Sequence, residues 1–146
     1  MNSAETTVLF ACTQNSVRSV IAQALFEKRQ FPMAGRAVSC GVIEGPLDGF
    51  VVSVLAEEGI DMSGHEAQVF DALSPDQFDL IISFSREADD KAGRWAKPGC
   101  KTLFWDVRPP EVSEHSRQET LDSYRQIRDE IDGRLAEFFT QKTQKT

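Results

Sequence analysis

The 146 residues predict an α/β fold, a four-stranded parallel sheet with helices on both faces. Three observations carry this. Short β-branched and aromatic runs alternate with helical periodicity in the order β-α-β-α-β-α-β-α. There is no internal repeat or low-complexity tract. Hydrophobic residues make up 40% and charged residues 27%, enough for one packed core over residues 1–146 and too apolar for a disordered chain.

The elements follow in order. Thr7–Ala11 is a β-branched and aromatic run that reads as a buried strand. It gives way to a polar, turn-prone stretch, Cys12–Ser16. A helix is predicted from about Val17 to Lys28, with Val17, Val20, Ile21, Ala24 and Leu25 on one face. Gly35 breaks the chain before a second strand, Ala37–Cys40. Gly41, Gly45, Pro46 and Gly49 mark a loop. A helix over about Phe50–Glu58 stops at Gly59, a common C-terminal position for glycine. Asp61–Val69 is irregular, with a helical turn near Phe70–Leu73 and another turn at Ser74-Pro-Asp. Asp79–Phe84 is a strong third strand, Ser85–Trp95 a helix, and Lys101–Trp105 a fourth strand. A long amphipathic helix runs from about Arg117 to Gln141, with Leu121, Tyr124, Ile127, Ile131, Leu135 and Phe138 at spacings of three or four. Residues 142–146 are polar and expected to fray.

Sixteen basic against 23 acidic residues give a net charge of −7, and no basic cluster stands out. Non-specific nucleic-acid binding and anionic-membrane binding are disfavoured. The longest apolar runs, such as Val8–Cys12, fall far short of the roughly 20 residues that cross a bilayer. The N-terminal stretch lacks a basic n-region and a long apolar core, so a cytoplasmic location is expected. Three cysteines, Cys12, Cys40 and Cys100, are widely spaced and odd in number, which argues against a disulfide framework. No CxxC occurs and both histidines are remote from the cysteines, so neither a metal site nor another cofactor is suggested.

In such sheets ligands bind at the carboxyl ends of the strands, near the point where strand order reverses. The loop after the first strand holds Cys12, followed six residues later by Arg18 and then Ser19. Such a loop can curl so that successive backbone N–H groups and the start of the next helix form an anion cradle. Arg18 can add a two-pronged guanidinium contact. The same positive potential favours the thiolate of a cysteine at the base, a nucleophile for phosphoryl transfer. Ser16 or Ser19 can donate a hydrogen bond there, and Asn15 tolerates a left-handed backbone that braces the loop. The pattern taken by itself also fits a small buried cysteine at a strand end beside a solvated arginine.

The stretch VLFACTQNSVRS resembles the N-terminal signature of low-molecular-weight protein tyrosine phosphatases and of the arsenate reductases that share their fold. The resemblance continues through SCGV at Cys40, Leu55–Gln68, Phe78–Ser85, Leu103–Val107 and Leu121–Ile131. It implies a flavodoxin-like sheet and a nucleophilic Cys12. It further implies a phosphate loop of Cys12, Thr13, Gln14, Asn15, Ser16, Val17, Arg18 and Ser19. In that loop Arg18 binds the phosphoryl group, with Asn15 and Ser19 in support.

Three departures bear on function. Gln14 stands where the family usually has glycine, and Val17 where many members have a second cysteine. The family's general acid is an aspartate directly before a proline after the last strand, and Pro109 occupies that place before Pro110. Asp106 is the nearest candidate substitute, if a shifted loop brings it into reach; Glu111, Glu114 and His115 lie beyond. A cysteine-dependent phosphatase acting on phosphotyrosine or small aryl phosphates is expected, weak where the leaving group needs a proton. Its partners would be phosphorylated proteins or aryl phosphates, and it would act as a monomer. An arsenate reductase resolved by an external thiol is the second reading, because the segment after the third strand has no cysteine. A binding-only phosphate module is the third. His65 and His115 are read as surface residues, Cys40 and Cys100 as inert thiols, and Phe50 and Phe104-Trp105 as packing residues.

Overall fold

A computed structural model describes residues 7–31 and 35–144, with side chains described through residue 140. Four strands, β1 (Thr7–Cys12), β2 (Arg36–Gly41), β3 (Leu80–Ser83) and β4 (Lys101–Phe104), form one parallel sheet in the order β2-β1-β3-β4. Four helices connect or follow them: α1 (Arg18–Arg29), α2 (Gly49–Ala56), α3 (Arg86–Trp95) and α4 (Arg117–Gln144). Single 3₁₀ turns stand at Phe70–Ala72 and Pro75–Gln77. Among the described residues no helix is long and apolar enough to cross a membrane.

Side-chain alternation along the strands divides the core. Val8, Phe10 and Cys12 of β1 face α1, α2 and α4, while Leu9 and Ala11 face α3 and the turn at Phe70. The chain leaves β1 for one neighbour, β2, and later returns to the other side with β3. The strand order therefore reverses at β1, and a crevice opens between the β1–α1 and β3–α3 loops.

Several element ends differ from the sequence reading. Cys12 is the last residue of β1, and α1 begins at Arg18 because Val17 is outside helical geometry. The α2 helix ends at Ala56, two residues earlier than expected, and the turn that follows closes at Gly59. With φ 77, Gly59 donates to Ala56 O while Ile60 N reaches Leu55 O, a Schellman arrangement. The tail expected to fray from 142 remains helical through Gln144; residues 145 and 146 lie outside the described residues. On α4, Phe139 rather than Phe138 takes the buried place. One turn beyond Leu135, it meets Phe26 and Phe31 at ring-centroid distances of 5.0 and 5.3 Å, while Phe138 packs on Trp105. Glu57 ties α2 to α4 through Arg125 and Arg128, and those two guanidinium groups hold its carboxyl down to about 2.

Candidate active site

The loop 13–17 follows the central strand directly, and its shape comes from hydrogen bonds to the β2–α2 segment. Thr13 O accepts from Val42 N (2.9 Å) and Ile43 N (3.0 Å), and Cys12 O accepts from Val42 N (3.2 Å). Gln14 O accepts from Gly45 N (2.9 Å), and His65 Nε2 lies 3.2 Å from Asn15 O. Four successive carbonyls are thus drawn outward. In a trans peptide the next N–H points the opposite way, so the amides of residues 13–16 face the inside of the loop. Among the described residues none of the amides of Thr13–Val17 has a protein acceptor. Gly41 and Gly45 make this approach possible. A Cβ on Gly41 would sit 2.7 Å from Asn15 N, and one on Gly45 2.6 Å from Ser16 Oγ.

Asn15 is fully buried with φ 56. Its Oδ1 accepts from the Gln68 backbone N–H (3.0 Å), a donor of unambiguous sense. That fixes Nδ2 as the donor to both Ser19 Oγ (2.9 Å) and Ser39 Oγ (3.0 Å). Both hydroxyls must then send their own protons elsewhere. Ser39 donates to Gln23 Oε1 at 2.6 Å. Ser19 Oγ lies 2.9 Å from Cys12 Sγ, a hydrogen bond in which either group can donate. The backbone of Gln68 thus holds the Ser19 hydroxyl beside the sulfur, through Asn15. Ser16, the other hydroxyl considered, donates instead to Pro46 O (2.8 Å).

Arg18 is half-buried, and its Nη1 donates to Phe84 O (2.7 Å) and Val107 O (2.8 Å). One nitrogen thereby ties the β1–α1 loop to two others, the β3–α3 turn and the segment after β4. The Nε and Nη2 protons, the planar edge suited to two oxygens of one oxyanion, have no protein acceptor among the described residues. Cys12, 3% exposed, forms the floor of a cavity of about 190 Å³ lined by residues 12–14, 16–18 and Pro109.

Pro109 thus lies against the cysteine pocket, as its alignment with the family's acid implies. The structure does not bring Asp106 there. Asp106 is exposed and lines a separate cavity of about 620 Å³ with Arg108, Glu111, Glu119, Asp122 and Glu130; Pro109 borders both cavities. After β4 the Val107 N–H donates to Trp105 O (2.9 Å), a tight turn centred on Asp106, and Val107 rather than Asp106 is buried. Glu114 and His115 are exposed.

Other expectations need correction. His65 is not simply a surface residue: it is half-buried against the Asn15 carbonyl. Nothing local signals this, because the irregular segment 61–69 reaches the loop only in the folded chain. Gln23, Ser39 and Gln68 were likewise not singled out from the sequence. Phe50 is half-buried on Tyr124, with the Arg117 guanidinium 5.2 Å from its ring centroid. Cys40 is fully buried on the sheet face opposite Cys12, and burial, then the nearby Cys12, push its thiol up. Cys100 is half-buried, and burial raises its thiol as well.

Comparison with known proteins agrees with this geometry. The family model described as low molecular weight phosphotyrosine protein phosphatase matches residues 7–146. An arsenate reductase of Bacillus subtilis is 28% identical over 131 residues, covering 90% of this chain and 93% of the relative. The crystal structure of an arsenate reductase from Archaeoglobus fulgidus superposes with a TM-score of 0.72 at 26% identity, covering 91% of this chain and 98% of that one. A low-molecular-weight protein tyrosine phosphatase from T. tengcongensis gives 0.69 at 25% identity, covering 88% and 93%. With that match across all but the first six residues, the chain belongs to the low-molecular-weight phosphotyrosine protein phosphatase family.

Proposed function

We propose that the protein is a cysteine-dependent phosphatase, acting on phosphotyrosine or small aryl phosphates. The observation that carries this is the Cys12 sulfur, hydrogen-bonded with Ser19, on the floor of a pocket walled by inward-facing amides and the free edge of Arg18. The sulfur attacks phosphorus as the bond to the leaving oxygen breaks. The amides and Arg18 hold the three equatorial oxygens as charge develops on them. Water then attacks the thiophosphate, releasing phosphate and restoring the thiolate. Phosphorylated proteins are the larger partners this pocket would serve, and one chain suffices to build it.

Arsenate reduction is the second reading, favoured by the arsenate reductases among the relatives. It shares the first attack but needs further thiols. The segment Ser85–Trp95 has none, and Cys40 is sealed on the opposite face. An external thiol would have to resolve the adduct.

The test compares wild type with Cys12→Ser in two assays: phosphate release from p-nitrophenyl phosphate, and arsenite production from arsenate with glutathione or thioredoxin as reductant. The expected result is phosphate release by the wild type alone, with the fold of the variant intact by far-UV circular dichroism. Thiol-dependent arsenite formation without phosphatase turnover would refute the phosphatase reading. Turnover by Cys12→Ser would remove Cys12 as nucleophile.

A further inference from the structure

Resting on the phosphatase reading, we propose that Glu87 is the proton-transfer group of this site, in the role that Pro109 cannot fill. Pro109 lines the pocket and carries no proton to give, Asp106 and Glu111 line the other cavity, and Glu114 is exposed. Among the described residues, Glu87 is the one carboxylate hydrogen-bonded to a side chain of residues 12–19. Thr13 Oγ1, on the pocket wall, donates to Glu87 Oε1 at 3.4 Å. Glu87 reaches this position because it lies in the first turn of α3, across the crevice from the phosphate loop. Two contacts place that turn: Arg18 Nη1 holds Phe84 O, and the Ser85 side chain caps Ala88 N. The element that binds the phosphoryl group thus also positions the acid.

The contact to Thr13 is long and Glu87 is exposed, so the carboxyl is free to move toward a leaving oxygen at the pocket mouth. Catalytic hydrogen bonds commonly tighten only with substrate present. In the first step the Cys12 S–P bond forms and the P–O bond breaks. Its electron pair stays on the leaving oxygen, which takes the proton from Glu87. In the second step a water oxygen bonds to phosphorus and the S–P pair returns to sulfur. Glu87 recovers a proton from that water, and the cycle closes with no other reactant.

The experiment measures kcat and kcat/KM for wild type, Glu87→Gln and Asp90→Asn on aryl phosphates ranging from 2,4-dinitrophenyl to phenyl phosphate, each across pH 4–8. Asp90 is exposed on the same helix and controls for the loss of one negative charge. Glu87→Gln should lose at least about tenfold on phenyl phosphate, toward the roughly 10²-fold lower end for general acid catalysis, and less than about threefold on the dinitrophenyl ester. Its dependence on leaving-group acidity should steepen and its pH profile should change shape; Asp90→Asn should match wild type. An unchanged slope in Glu87→Gln, or an equal rise in kcat/KM for every ester from eased repulsion, would overturn the Glu87 assignment alone. If wild type turns over no ester above the Cys12→Ser level, the phosphatase reading falls and this proposal with it.

Discussion

Replacing Gly41 with alanine probes whether the β2–α2 segment shapes the phosphate loop. A Cβ at this position would lie 2.7 Å from Asn15 N, 2.7 Å from Ile43 O and 2.8 Å from Gln14 C. All three are backbone atoms, so no rotamer change relieves the overlap. Overpacking of this kind costs about 1–3 kcal/mol. At about 2–5 °C per kcal/mol for a chain of this length, Tm should fall by roughly 2–15 °C. Two of the three atoms belong to the loop itself, so relief must push it toward the pocket. A displacement approaching ~1 Å costs as much as about 10²-fold in rate. Gly49→Ala is the matched control, since nothing lies within 4 Å of its Cβ and it opens α2. Thermal melts give the stability change. The kcat/KM on p-nitrophenyl phosphate, measured well below both melting points, gives the functional one. Gly41→Ala with a Tm within about 1 °C of wild type and kcat/KM within about twofold would refute the reasoning.

Arg18→Lys should lower kcat/KM by about 10²-fold or more, because one ammonium cannot hold Phe84 O and Val107 O and still present a planar edge to an oxyanion. Equal kcat/KM for the two proteins would show that Arg18 is not the phosphoryl ligand. Glu57→Gln addresses the α2–α4 tie. Hydrogen bonds from Arg125 and then Arg128 hold the Glu57 carboxyl near 2 in the fold, below its ordinary value near 4.5. A depressed carboxyl contributes stability above the unfolded value and loses it as pH falls toward the folded one. The variant's Tm should therefore depend less on pH between about 5 and 2 than that of wild type. The difference should be small and should shrink with salt, because Glu57 is solvent-exposed. Parallel Tm–pH curves would contradict it.

The order of strands and helices is legible in the sequence because each element is encoded locally. Asp79–Phe84 is a short apolar run bounded by turn residues, and α4 repeats its apolar positions every three or four residues. The Cys12–Arg18 spacing is local too, since a loop and one helical turn bring the two together. Even the Gly59 cap is a property of a few adjacent residues.

Tertiary structure alone decided the rest, because it depends on segments distant in the chain. The strand order β2-β1-β3-β4 follows from how helices cover the two faces, and strand periodicity carries no information about neighbours. The placement of the Ser19 hydroxyl beside Cys12 depends on Gln68, 53 residues from Asn15. The exclusion of Asp106 rests on an irregular loop whose path is set where Arg18 grips Val107 O, 89 residues away. Glu87 meets Thr13 across 74 residues only because α3 starts at the edge of the crevice beside β1. Hydrogen bonds of this kind leave no periodic trace in a sequence. They form when packed elements bring the groups within reach, and burial then makes an unpaired polar group costly.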